Sequence, residues 1–174
     1  MRKGDDVIFT EKEIEYLRSQ PFGRLATVGA EGDPHVVPVG LHYNPDLRTI
    51  DIGGIGLGRS RKYRDVRHRP RVAFVVDDID PADPTAPRGI EIRGLAEALA
   101  EGGRAFNDLV ADELIRITPT RVISWGIEKN WQAGPFARAV SAEDRSTDVG
   151  RPADADRPAV DDQPAADRPD KEVR

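Results

Sequence analysis

Polar and apolar residues alternate in short bursts along most of this chain, and the bursts are separated by glycine, proline and aspartate. The first element is different. Thr10 followed by Glu13 makes a capping-box pattern, with Phe9 and Ile14 placed as a hydrophobic staple. Ile14 and Leu17 then form a narrow apolar stripe that stops near Pro21, which predicts a short helix that must pack on something else. Three strands follow in the pattern, over Arg24–Val28, His35–Tyr43 and Thr49–Ile52, with turn signals at Glu31–Pro34 and Asn44–Asp46. Each connection is too short for a crossover helix, so the strands should form an antiparallel meander. Pro38 inside the second strand argues for an edge position or a bulge.

The run Gly53-Gly54-Ile55-Gly56-Leu57-Gly58 interrupts this rhythm. After it, Arg59 to His68 can form about two helical turns, ended ahead of Pro70. Arg71–Val76 is strongly β-forming, and Asp77–Arg88 reads as an irregular loop with three prolines, in which Asp77, Asp78, Asp80 and Asp83 are turn residues. Gly89–Gly94 alternates again and continues toward Leu99, a short helix is expected over Arg104–Leu109, and Leu114–Ile117 and Arg121–Trp125 read as the last strands. Short strands in this number, with two or three small helices and no internal repeat, predict a mainly β protein built as a closed or partly closed barrel.

Composition changes the picture at the C-terminal end. From Ser141 to Arg174 there is no Leu, Ile, Phe, Tyr, Trp or Met, and Pro, Asp, Ala and Arg dominate. Such a segment cannot bury enough apolar surface to offset its ordering entropy, so one folded domain over residues 8–140 and a disordered tail over 141–174 are expected. The tail carries ten acidic and six basic residues out of a whole-chain net charge of -5, which leaves the folded part close to neutral. A net acidic chain is a poor partner for nucleic acid. The absence of cysteine excludes disulfides, thiolate metal sites and cysteine nucleophiles. No apolar run is long enough to span a membrane, and the first residues lead into no signal-like stretch. A soluble, cytoplasmic protein is expected.

The densest candidate chemistry lies between Gly53 and Val76. A glycine-rich loop leaves a strand and enters a short helix whose first turn holds Arg59, Ser60, Arg61 and Lys62. Free N–H groups at a helix start favour an anion, arginine can grip phosphate in a bidentate fashion, and lysine adds a point charge. The pattern reads as a phosphate cradle. A solvated basic face is the plain alternative, but six Arg and Lys between Arg59 and Arg69 stand out in a nearly neutral domain. Gly54-x-Gly56-x-Gly58, with Asp77 and Asp78 further on, loosely imitates a dinucleotide-binding fingerprint. It fails because the third glycine comes one place early and the unit follows an antiparallel meander.

Taken together, Gly23–Val28, Gly32–Val39, Lys62-x-x-Asp65-Val66-x-x-x-Pro70-x-Val72, Thr49–Gly54, Val72–Asp78, Pro87–Gly94 and Ile123–Ile127 resemble the pyridoxamine 5'-phosphate oxidase-like superfamily. Within it they resemble the actinobacterial class of F420-dependent flavin/deazaflavin oxidoreductases, over roughly residues 8–130. The resemblance implies a split β-barrel of the FMN-binding-protein type, a homodimer, and a cofactor in a groove at the subunit interface. It places the cofactor phosphate at the start of the short helix, with Lys62 in the lysine position. Relatives commonly carry an arginine where this chain has Ser60, and Arg59 and Arg61 flank that position. The ring system would lie against Val37, Pro38, Val39 and Gly40 and against Ile52, Gly53 and Gly54.

No pattern points to an acid, base or nucleophile, so no catalytic residue is assigned. Ser124 lacks a Gly-x-Ser-x-Gly setting. His35, His42 and His68 lack metal-ligand spacing; on one strand His35 and His42 would face opposite sides, and only a contact between His35 and cofactor or substrate stands beside structural roles. Trp125 and Trp131 fit a ring or a substrate pocket as well as core or dimer packing. The expected function is hydride transfer between coenzyme F420 and a small organic substrate, since a deazaflavin supplies the two-electron chemistry itself. The alternatives are the same fold with FMN, and a protein that binds F420 or a flavin without turnover.

Overall fold

A computed structural model describes residues 8–106 and 108–141; the tail predicted over 141–174 lies almost wholly outside them. Helix α1 spans Glu11–Ser19, and its capping box forms as the sequence predicts, with Thr10 as the N-cap. Strands β1 (Phe22–Val28), β2 (Pro34–Gly40), β3 (His42–Asn44) and β4 (Thr49–Ile52) follow. A single 3-10 turn over Leu57–Arg59 leads into α2 (Arg61–His68). The remaining strands are β5 (Arg71–Ile79), β6 (Pro87–Leu99), β7 (Leu114–Trp125) and β8 (Phe136–Ala139).

All eight strands join one antiparallel sheet in the order β2-β1-β5-β6-β7-β4-β3, with β8 added beside β7. The stretch predicted as one strand over His35–Tyr43 is divided at Leu41: its first part pairs with β1 and its second with β4. The two ends of the sheet are therefore covalently adjacent, and the sheet curls into a split barrel. Pro38 lies on β2, an end strand, the edge position that a proline in a strand predicts. Inward-facing Leu25, Phe74, Val76, Ile90, Ile92, Ile115, Ile117 and Val122 fill the curl, with Leu17 of α1 and Val66 of α2 closing it.

Several sequence expectations need correction. Asp77 and Asp78 are strand residues, because the β5–β6 ladder continues through Asp78↔Arg88 to Ile79↔Pro87. Their acidity is compatible with a strand because Asp78 receives a bidentate ion pair from Arg88 (2.8 and 2.9 Å) on the neighbouring strand. Asp80 and Asp83 do cap the tight turn that follows, accepting from the N–H groups of Ala82 and Thr85. The last two predicted strands are one, since a bulge at Arg93/Gly94 absorbs Thr120 and lets β7 run through Pro119. The helix expected over Arg104–Leu109 is a single 3-10 turn, Gly103–Ala105, with Asn107 outside the described residues. No sequence signal announced β8. Among the described residues no helix is long and apolar enough to cross a membrane.

Candidate cofactor site

The glycine-rich loop is shaped by two constraints. Gly56 takes a left-handed backbone conformation (φ 62°), which admits the 3-10 turn and which a side chain would strain. Ser60 then caps α2 by accepting from Tyr63 N–H at 3.4 Å, and the N–H groups of the first turn keep no helical partner. Arg59 and Arg61 are exposed, while Ser60 and Lys62 are half-buried. Burial lowers the Lys62 pKa from the ordinary lysine value, which means that the site holds a cation at some desolvation cost. Tyr63 and Val66 anchor the other face of α2, with Tyr63 Oη donating to Leu99 O at 3.1 Å. Arg59, Ser60, Arg61 and Lys62 thus follow one another around the start of α2, with Arg59 reaching toward Gly56 and Arg61 toward Gly29.

Behind this turn lies a carboxylate to which sequence reasoning gave no chemical role. Asp65 is buried on α2 and accepts a 2.8 Å hydrogen bond from Thr27 on β1. Arg61 Nε stands 3.8 Å and His35 Nδ1 3.9 Å from the same carboxylate oxygen. Arg61, Arg64, Asp65 and His68, with Gly29 and Asp33 of the β1–β2 turn, line a cavity of about 440 Å³. Asp65 belongs to the Lys62-x-x-Asp65-Val66 pattern, whose i, i+4 spacing from Arg61 was a legible sign of an ion pair across one helical turn.

The ring-facing positions are placed less uniformly. On β2, His35, Val37 and Val39 stand opposite Thr27, Leu25 and Gly23, residues of the inward face, whereas Pro38 stands opposite Arg24 on the outer face. Gly40 pairs with Phe22 at the end of β2, and Gly53 follows the end of β4, whose Asp51 pairs with His42. A side chain at Gly40 or Gly54 would find open space, with nothing nearer than 3.9 Å. Gly53 is different. The space beside it is filled by Phe106 and Val110, each within 2.8 Å of where a Cβ would sit, and Phe106 stacks on His42 at 3.8 Å between ring centroids. His35 and His42 occupy different strands, so their sequence separation does not set their relative orientation.

Trp125 stands apart from α2. It pairs with Gly89, itself opposite Asp77, whereas Thr27 lies beside the Ala73 end of β5. The separation along β5 is about four or five residues, or ~15 Å. Its ring covers Gly89 and joins Ala26, Val36, Ala73 and Val75 in an outer-face groove of about 320 Å³. The residues present fit a phosphoryl group at the start of α2 and a flat ring approaching open backbone at Gly40 and Gly54. Trp125 lines the outer-face groove beside Ala26 and Val36, apart from α2.

The curled antiparallel sheet, with a basic helix packed against β1 and β6, is a split-barrel fold. The chain belongs to the pyridoxamine 5'-phosphate oxidase family, whose model matches residues 9–126. It is 52% identical over 136 residues to the 5a,11a-dehydrotetracycline/5a,11a-dehydrooxytetracycline reductase of Streptomyces rimosus subsp. rimosus, a match covering 78% of this chain and 96% of that protein. Among solved structures it is similar to the conserved protein Rv2991 of Mycobacterium tuberculosis (TM-score 0.56, 21% identity, 82% of this chain and 99% of that one). A heme-binding protein of Mycobacterium smegmatis also matches (TM-score 0.56, 21% identity, 76% of this chain and 60% of that one). At that identity the two structures speak to the fold alone; the family and the named reductase make the chain an oxidoreductase.

Proposed function

We propose that the chain binds coenzyme F420 and transfers a hydride from the reduced deazaflavin to a fused-ring substrate of the dehydrotetracycline class. The observation that carries this reading is the likeness to the Streptomyces rimosus reductase over nearly that protein's whole length. The motif resemblance to F420-dependent relatives supports the cofactor, and the basic start of α2, with Arg59 and Arg61 exposed and Ser60 and Lys62 half-buried, supports its phosphate end. The cofactor, when bound, supplies the hydride. The chain holds the anionic end at α2, offers open backbone at Gly40 and Gly54 to the ring, and excludes water through Val37 and Val39. A homodimer is part of the proposal. Phe22 and Val36 are about 60% exposed on β1 and β2, and a second copy laid on this face would cover them and bring its own Trp125 groove toward the cofactor.

The test is a fluorescence titration of the purified, cofactor-free chain with F420 and, separately, with FMN, repeated on Lys62→Glu. It is followed by mixing the reduced F420 complex with 5a,11a-dehydrotetracycline. Tight F420 binding, at least tenfold weaker in Lys62→Glu, and oxidation of the cofactor on adding substrate are expected. Preference for FMN would move the chain to the flavin branch of the family. Binding of neither would overturn the reading.

A further inference from the structure

Among the described residues, one buried side-chain nitrogen or oxygen lacks a hydrogen-bond partner, and it is His35 Nδ1. Groups of this kind are rare in folded proteins and call for an explanation. The atom faces Asp65 Oδ2 across 3.9 Å, too far for a hydrogen bond and close enough to make one after a shift of about 1 Å. That oxygen already accepts from Thr27 Oγ1 and is approached by Arg61 Nε at 3.8 Å. Two donors therefore compete for one buried carboxylate, and neither has closed on it.

The two differ in what else they can reach. Arg61 sits in the first turn of α2 with half its side chain in solvent. A phosphoryl group there would draw the guanidinium into a bidentate pairing. Asp65 is 6% exposed, and a carboxylate so buried loses stability when a nearby donor leaves unless another donor closes on it. His35 can supply the replacement. Neutral imidazole with its proton on Nδ1 donates to Asp65, leaving Nε2 as an acceptor on the opposite edge of a ring that is a quarter exposed. The other charged groups around this cavity, Glu31, Asp33, Arg64 and His68, are all exposed.

We propose that His35 is a positioning residue of the anion cradle: it takes the place of Arg61 at Asp65 when Arg61 turns to the phosphoryl group. The proposal rests on the reading of α2 as that cradle. His35 acts through Asp65 and needs no contact with the cofactor.

The experiment uses the full chain and compares F420 and FMN affinity, by fluorescence, in wild type, Lys62→Glu, His35→Leu, His35→Asn, Asp65→Asn and the double variant His35→Leu/Asp65→Asn. His35→Leu should weaken binding about tenfold, the scale of one hydrogen bond to a charged group. His35→Asn should recover most of the loss, because its amide N–H starts from near the Nδ1 position. In the Asp65→Asn background the His35→Leu change should have less than a twofold effect, since no carboxylate remains for Arg61 and His35 to exchange at. A His35→Leu affinity equal to wild type, or an equal loss in both backgrounds, would overturn the proposal. If Lys62→Glu binds as tightly as wild type, the cradle reading itself fails and this inference with it; weak binding by Lys62→Glu with normal binding by His35→Leu refutes the role of His35 alone. Should His35→Leu not fold, imidazole nitrogen resonances of wild type decide the matter. Titration with ligand should place the His35 proton on a hydrogen-bonded Nδ1, and an unchanged signal refutes the exchange.

Discussion

Removing the guanidinium of Arg138 should destabilise the protein more than any surface change, although the residue lies on a four-residue strand at the end of the described chain. Its partner is Glu13, 0% exposed on α1. Arg138 pairs with both oxygens of that carboxylate, one of the bonds being 3.0 Å, and also donates to Ile8 O at 3.1 Å. Glu13 accepts besides from Ser124 Oγ at 2.7 Å and from Thr10 N–H at 3.0 Å. Arg138→Met keeps the stem and deletes the charge, which strands a carboxylate with two neutral donors. Breaking a buried pair on one side costs about 3–5 kcal/mol, a large share of the roughly 5–15 kcal/mol available to a domain. For a domain of this size that is a fall of about 10–20 °C in the unfolding midpoint. Thermal and urea unfolding followed by circular dichroism measure it. The double variant Glu13→Gln/Arg138→Met removes both charges while the new amide oxygen still accepts from Ser124 or Thr10, and it should regain more than half of the loss. A cost below about 1 kcal/mol for Arg138→Met, or a double variant no better than the single, would refute the reasoning.

Four further outcomes follow from the same structure. Lys62→Met should leave the unfolding midpoint of the ligand-free protein equal or higher at pH 7, because burial disfavours the charged ammonium, while cofactor affinity falls; a lower midpoint would show that the ammonium has a stabilising partner. Gly89→Ala should cost about 1–3 kcal/mol, since the added methyl overlaps the Trp125 ring and sits 2.8 Å from Val76 O, and Trp fluorescence should shift with it; Gly54→Ala, whose nearest neighbour is Leu57 at 4.0 Å, should be far milder. Phe74→Ala, at a fully buried ring, should cost about 3–5 kcal/mol in urea unfolding. Hydrogen bonds from Arg88, then Gln20 and Tyr16, hold Asp78 below the usual carboxylate range. Its contribution is therefore complete above the unfolded carboxylate value of about 3.9 and is lost as pH falls through the lower folded value; Asp78→Asn should flatten the acid limb of a stability–pH profile, and an unchanged limb would assign it to other carboxylates.

What could be read in the sequence was what is encoded locally. The Thr10–Glu13 capping box, the alternating runs at Thr49–Ile52 and Gly89–Gly94 and the break before Pro70 each depend on neighbours within one turn or one strand, and each formed where it was announced. Asp77 and Asp78 misled because their polarity suggests a turn, while the ladder to β6 and the ion pair with Arg88 are made ten residues away. Leu114–Ile117 and Arg121–Trp125 read as two strands because the bulge that joins them through Pro119 is a property of two strands together. β8 had no local signature because Phe136–Ala139 gains its place from Arg138 meeting a glutamate 125 residues earlier. Glu13 illustrates the limit well: the capping role was legible, whereas the same carboxylate's part in holding the last strand was not.

The basic helix start was legible for the same reason as the cap. Arg59, Ser60, Arg61 and Lys62 are consecutive, and a helix start converts their sequence order directly into proximity. Asp65 and His35 lie on different elements, joined only because β1 and β2 pair through Thr27↔His35 and α2 drops its buried face onto that pair. Phe106 comes to fill the space beside Gly53 across a gap of more than fifty residues, which no glycine pattern could foretell. Trp125 carries the point further. Its ring lies on the outer face while Val37 and Val39 face inward, and it is several residues along β5 from α2. A cofactor-induced change in Trp125 fluorescence that disappears in a monomeric variant such as Phe22→Glu, outside the Trp125 groove, would tie Trp125 to the cofactor through a second copy of the chain.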